Sequence, residues 1–280
     1  MPKIKRRFDA VVMNPPFQGA TKEGKEGRNN LLWPLFVEKS LELCKPNGYV
    51  CNIHPSLWRK PEHPLLKKLL SHKILFLSMN SKKMGEKIFK ASTHFDWYII
   101  QMANCSGDAK LVDEDGLKQI VNVSSMPFIP GSNISFIGKL LGSPSLDVLY
   151  STAYHNQNDG VSESKSDTFI FPVLHSITMD GPRIMYANSN NKGLFGVRNK
   201  VIVSTGESLY SVLDLDGTMG TTEGCFSIVA SSKQEAENIQ QALISKEFQE
   251  KVVKKTKWSN FRIDYKMFKY FRKDFWKDFI

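Results

Sequence analysis

Short apolar runs and amphipathic stretches take turns along the first hundred residues of this chain. Residues 8–13, FDAVVM, are a brief run with two valines, the pattern of a buried strand. A polar Gly/Lys-rich stretch, 18–30 (QGATKEGKEGRNN), reads as a loop. Residues 31–44 repeat apolar positions at helical spacing (Leu32, Leu35, Phe36, Leu43), and Lys45-Pro46-Asn47-Gly48 supplies a turn that no helix crosses. Residues 49–53 predict a second strand, 62–71 a short amphipathic helix, and 73–78 and 96–102 two further strands. Strands separated by helices predict a parallel or mostly parallel, doubly wound α/β sheet.

The pattern changes after Asn104. Residues 105–119 are polar and mixed, Pro127, Pro130, Gly131 and Gly142 punctuate the next stretch, and 155–168 and 188–193 are polar loops. Strands are expected at 200–204, 211–215 and 225–230, and a helix at 234–244 with Ser232 as its cap. These signals divide the chain into residues 1–105 and a second, α+β domain over 106–280, with no internal repeat.

Composition adds a core and a charge. With 41% hydrophobic and 24% charged residues the chain can bury a proper interior. No apolar run is long enough for a membrane span, and the basic start, MPKIKRRFDA, lacks the apolar stretch of a signal peptide, so no membrane partner is expected. Cys44, Cys51, Cys105 and Cys225 are scattered without a CxxC pair, which points to free thiols in a reducing, cytoplasmic setting. Cys51 and His54 are close, but no second ligand pair accompanies them, and no metal is expected. The net charge of +10 suits a polyanion, nucleic acid first. The segment 246–280 holds 11 Lys/Arg against 5 Asp/Glu, interleaved with aromatics. Lys254, Lys255, Lys257 and Arg262 are candidate phosphate contacts there. The aromatics at 261, 265, 268, 275 and 279 have the spacing of the buried face of a helix.

The most specific chemistry comes after the first strand, at Asn14-Pro15-Pro16-Phe17. Open α/β sheets bind ligands at the carboxyl ends of their strands. Two prolines fix φ and keep the preceding residues out of helical geometry, so the loop is stiff. It offers the Asn14 amide oxygen and the Pro15 carbonyl as preorganised acceptors beside an aromatic ring. That set suits methylation of an exocyclic amine on a base: two hydrogen bonds hold both N–H groups, free the nitrogen lone pair, and face the developing positive charge with oxygen dipoles. Stacking of the base on Phe17 is worth ~1–3 kcal/mol, comparable to the few kcal/mol that base flipping costs. Asn-Pro and Pro-Pro are also ordinary turn punctuation, so the motif needs its context.

That context resembles the adenine-N6 DNA methyltransferases of restriction–modification systems. NPPF after a strand resembles the family's motif IV; "KPNGYVCNIHPSLW" (45–58) looks like its next strand, and "STHFDWYIIQ" (92–101) like motif VIII, where an aromatic packs on the flipped base. Phe95 is the candidate for that aromatic, with Phe89 and Trp97 as alternatives. "RNKVIVSTG" (198–206) is similar to a strand of the family's target-recognition region, with Lys200 as a DNA-contact candidate. The resemblance implies part of a Rossmann-like methyltransferase sheet followed by a target-recognition domain. It implies S-adenosylmethionine as methyl donor, double-stranded DNA as substrate, Asn14, Pro15, Pro16 and Phe17 as the catalytic set, and Asn14 and Pro15 also touching the donor.

The family places its Gly-rich donor loop and subsequent acidic residues ahead of motif IV, yet only thirteen residues precede Asn14 here. Three explanations stand: a second polypeptide supplies the cofactor half, the start is misassigned or the gene interrupted, or the chain works only in DNA binding. "SVLDLDGTMGTTEG" (211–224) imitates a cofactor loop, but such a loop runs into a helix, whereas CFSIVA predicts a strand and hence a hairpin.

Overall fold

The computed structural model describes residues 6–17, 31–105, 107–155, 160–258 and 262–280. They form two compact units, one of residues 1–134 with 258–260 and one of 135–257 with 261–280. The boundary thus falls some thirty residues later than the composition shift at 105 suggested. Residues 109–112 and 118–121 are strands of the first sheet; in the former, buried Ala109 and Leu111 alternate with the more exposed Lys110 and Val112.

The first unit is a six-stranded sheet in the order β1-β2-β4-β3-β5-β6. Its strands are β1 (Phe8–Met13), β2 (Cys44–Pro55), β3 (His72–Asn80), β4 (Phe95–Asn104), β5 (Ala109–Val112) and β6 (Lys118–Val121). Helix α1 (Trp33–Leu43) carries the chain from β1 back to a parallel β2. Helices α2 (Pro64–Leu70) and α3 (Lys82–Phe89) connect the next strands. The sheet is mostly parallel, as expected: β1, β2, β3 and β5 share one direction, while β4 runs antiparallel to both β2 and β3, and β6 antiparallel to β5. Length explains the reversal at β4. Eight helical residues span ~12 Å, far less than the ~30 Å of the strands they join, so α3 cannot return the chain to the start of β3. The α/β class stands.

The two faces of this sheet differ. A row of cross-strand partners, Val11–Val50–Ile100–Ile74, is buried: Ile100 and Ile74 cluster with Trp33, Val37, Trp58 and the leucines of α2, and Val11 and Val50 with Cys44. The neighbouring row, Val12–Cys51–Ile99–Phe76, points to the other face and is half-exposed, with Val12 77% accessible. Polar groups inside the sealed face are partly paired; Asn52 Oδ1 and Asp96 Oδ1 have no hydrogen-bond partner. Asn52 donates to Ser40 Oγ (2.9 Å) and Tyr98 Oη (3.2 Å), and His54 Nε2 lies 3.0 Å from the same phenol. Trp33 is sandwiched between the rings of His54 (4.7 Å) and His63 (5.7 Å). Burial pushes both histidines down to about 4, because an apolar sandwich disfavours the charged imidazolium.

The second unit holds two four-stranded sheets, ordered β13-β9-β10-β8 and β12-β11-β14-β7. Their strands are β7 (Asp147–Tyr150), β8 (Val161–Ser162), β9 (Phe171–Thr178), β10 (Gly181–Ala187), β11 (Lys200–Ser204), β12 (Ser211–Asp214), β13 (Gly220–Thr221) and β14 (Cys225–Val229). Leu174 and Ile177 of one sheet pack with Ile202 and Cys225 of the other. Helices α4 (Ile134–Leu140), α5 (Lys233–Ile244) and α6 (Lys246–Lys251) complete the elements, and Ser232 caps α5 by accepting from Glu235 N–H. The stretch after 264 is not the expected helix but two 3₁₀ turns, Tyr265–Tyr270 and Phe275–Asp278. Of the spaced aromatics, Phe268 and Phe275 are fully buried, Tyr265 and Phe279 only partly; Phe248 and Phe271, outside that spacing, complete the buried cluster. No helix is long and apolar enough to cross a membrane among the described residues.

Candidate functional site

Asn14, Pro15, Pro16 and Phe17 leave the carboxyl end of β1, at the edge of the sheet. They form one wall of an open cleft of about 840 Å³; Phe89, Ala91, Ser92 and Thr93 form the other. Asn14 and Pro16 are exposed, Pro15 is buried, and Phe17 is half-buried. The Phe17 ring meets Phe89 edge to face at 6.0 Å. Phe89 in turn stands edge-on to Phe95 at 4.9 Å. Phe95 itself is 1% exposed, which corrects its candidacy as the base-stacking ring: it backs Phe89, and Phe89 lines the cleft. Trp97, the other alternative, stacks on Phe76 at 4.6 Å and does not line the cleft.

The second wall has its own local causes. Helix α3 ends at Lys90, whose φ of 56° turns the chain sharply into residues 91–93. Gly85 makes room for them. A Cβ there would sit 2.1 Å from the Thr93 carbonyl oxygen, so no other residue lets the helix and the wall approach this closely. Thr93 N–H donates to Ala91 O (2.9 Å) and Ser56 N–H to His94 O (3.2 Å), which ties the end of the wall to the end of β2.

Beyond His94 lies a buried charge cluster that sequence reasoning did not find. Arg59, fully buried, donates Nε to Asp96 Oδ2 (2.8 Å), Nη1 to Ile129 O (3.2 Å) and Nη2 to Glu114 Oε1 (2.8 Å). Trp58 Nε1 also donates to Asp96 Oδ2 (2.7 Å). His94 Nδ1 lies 3.2 Å from Glu114 Oε2, off the line of a good hydrogen bond. Burial pushes the Asp96 carboxyl up to about 6, with Arg59 and Trp58 pulling against it. Burial also raises Glu114, but His94 and Arg59 outweigh it and hold that carboxyl down at about 2. The separations Arg59–Glu114 and Arg59–Ile129, 55 and 70 residues, explain why no local pattern announced the cluster.

The DNA-contact candidates divide. Lys200 is corrected: it is fully buried, its Nζ donating to Leu194 O (2.7 Å) and Met219 O (2.8 Å) and pairing with Asp214 (2.9 Å). All five residues of its strand, Lys200–Ser204, are buried, so the strand offers the lysine no exposed face. Its partner Asp214 also accepts from the N–H groups of Gly217, Thr218 and Met219. Residues 217–224 therefore wrap a structural ion pair and run into β14, a strand, not into the helix a cofactor loop requires. Lys254 is exposed and pairs with Glu250 at 2.7 Å. Lys255 and Lys257 are half-buried and partnered, and Arg262 is exposed. The polar loop 18–30 and part of the loop around 156 lie outside the described residues, as does Phe261. All four cysteines are free thiols.

Residues 2–89 match the Eco57I restriction-modification methylase family. No curated protein matches the sequence. Among solved structures, the chain is similar to the Type IIL restriction-modification enzyme MmeI in complex with DNA, at 9% identity and TM-score 0.49, over 84% of this chain and 42% of that one. It is also similar to a modification subunit of a putative type I restriction enzyme from Vibrio vulnificus YJ016, at 13% identity and TM-score 0.31, over 41% of this chain and 28% of that one. The chain spans less than half the length of either.

Proposed function

We propose that this chain, whose residues 2–89 match a restriction-modification methylase family, methylates the exocyclic N6 amine of an adenine turned out of double-stranded DNA. The observation that carries this reading is the cleft: NPPF at a strand end, faced across open space by a second aromatic wall. The Asn14 Oδ1 and Pro15 O accept the two amine hydrogens and free the lone pair. Pro16 keeps both acceptors rigid, so their dipoles need no reorganisation as positive charge develops on nitrogen. Phe17 stacks on the base and Phe89 closes its edge. Lys254, Lys255, Lys257 and Arg262 are the residues we assign to phosphate contacts, which position the duplex without reading its sequence.

S-adenosylmethionine, when bound, supplies the electrophilic methyl group. The described residues fit only its reacting end, beside Asn14 and Pro15; among them no strand runs through a glycine-rich turn into a helix that could hold the nucleoside. We place the donor beyond the free edge of β1, where Phe8 and Val12 are exposed and a further strand can pair. A second polypeptide or further chain would bring it. The same observation favours one second reading, a DNA-recognition module whose NPPF loop performs no transfer.

The test is calorimetric titration of S-adenosylmethionine into the folded chain, followed by transfer of labelled methyl to mixed-sequence duplex DNA and identification of the methylated base. Label in N6-methyladenine, lost in Asn14→Ala, supports the enzyme. A chain that binds DNA but neither binds the donor nor transfers methyl, alone or with a partner that restores donor binding, supports the recognition module.

A further inference from the structure

We propose that Glu114 is a positioning residue for the cleft, clamping the wall of residues 91–93 through His94; the assignment rests on reading that cleft as the adenine site. The wall is short, exposed at Ala91 and Ser92, and lies between a positive-φ residue and His94. What grips its two ends therefore helps to set its placement. Gly85 lets it settle onto α3 at one side. At the other, His94 is held at two points: its carbonyl by Ser56 N–H at 3.2 Å, and its ring by Glu114 at 3.2 Å.

Glu114 is itself immobilised. Its N–H donates to Gly131 O (2.8 Å), Arg59 Nη2 grips Oε1 (2.8 Å), and a Cβ on Gly131 would fall 2.6 Å from that same oxygen. The bland alternative is that Glu114 merely neutralises the buried Arg59. Geometry argues against that as the whole account. Asp96 already meets the guanidinium at Nε, and Glu114 gives Arg59 only one oxygen while turning the other to His94. One carboxylate thus links a fully buried cation to the end of the cleft wall. Rigid support of this kind is what keeps a binding wall within the narrow tolerance that a positioned base requires.

The experiment compares the full chain with Glu114→Gln and His94→Gln, each confirmed folded by a cooperative melt. Amide hydrogen exchange is read at Ser92 and Thr93 and, as reference, at Val50 and Ile100. Fluorescence of a single-stranded oligodeoxynucleotide carrying one 2-aminopurine reports stacking in the cleft. The expected result is exchange about tenfold faster at the wall in both variants, the scale of losing one buried polar contact, with the reference amides unchanged. Affinity for the 2-aminopurine probe falls by a similar factor. Unchanged exchange at the wall, or a uniform rise at wall and reference alike, overturns the clamp and leaves Glu114 a partner of Arg59 only. A wild-type chain that shows the expected exchange pattern but does not quench the probe overturns the adenine reading instead.

Discussion

The two faces of the first sheet are built from neighbouring residues of the same strands and do opposite things. The Val11–Val50–Ile100–Ile74 row is buried, and behind it Arg59 is paired with Asp96 and Glu114. The Val12–Cys51–Ile99–Phe76 row stays half-exposed, and the loop at the end of its first strand lines an open cleft. Stability is concentrated where side chains are sealed; chemistry sits where backbone acceptors are left for a ligand. Mutations on the sealed face should therefore cost folding, and mutations at the cleft should cost activity or binding alone.

The largest effect is expected from Arg59→Met. It leaves Asp96 and Glu114 buried without their cation, at a cost of about 3–5 kcal/mol. Urea denaturation at pH 7 checks it, and a loss below about 1 kcal/mol would break the contrast between the faces. Asn14→Ala is expected to do the reverse. Methyl transfer should fall on the order of 10²–10³-fold, as when one preorganised acceptor is removed, with the melting temperature within a degree or two of the parent.

Acid should weaken the sealed face next. His54, fully buried, sits at about 4 against an ordinary 6.5, so between those values the unfolded chain binds the extra proton. Its contribution is fully present above pH 6.5 and is lost as pH falls through 4, on the order of 3 kcal/mol. His63 acts in the same direction. Asp96, raised to about 6, opposes them, because its protonated form is the one the fold prefers and its contribution fades as pH rises from 4 to 6. The net slope from pH 6.5 to 4 is expected to be downward, and His54→Gln should flatten it. A slope unaltered in that variant would remove His54 from the account. The smallest effect is expected from Phe17→Ala, which should weaken binding of a 2-aminopurine oligonucleotide by about 1–3 kcal/mol and leave the melt alone.

Range along the chain decided how much of this was legible in the sequence. The strand FDAVVM, the helix after it, β11 and the Ser232 cap are local patterns, and they stand where the pattern put them. NPPF was readable because its chemistry lies within four consecutive residues. The facing wall was half readable: Phe89 was an alternative to Phe95, but which aromatic faces the cleft depends on burial, and burial depends on α3. That helix escaped notice because SKKMGEKIF is polar and carries a mid-helix glycine, both poor helical signals. Its Gly85 is instead required by the Thr93 carbonyl. Lys200 shows the converse failure. A lysine in a strand suggests a phosphate contact, and nothing nearby announced that Asp214 and two carbonyls would enclose it.

Trp258 belongs to the first unit, where its indole N–H donates to Ile129 O at 2.8 Å and its ring meets Phe128 edge to face. In the chain it comes after nearly all of the second unit. During translation the first sheet can therefore form early, but the carbonyl of Ile129, the same one that Arg59 uses, waits for a partner that the ribosome has yet to deliver. The two units interleave in the chain: residues 135–257 stand between the first sheet and Trp258. An expression clone cut at residue 134 would separate the sheet from its own last side chain.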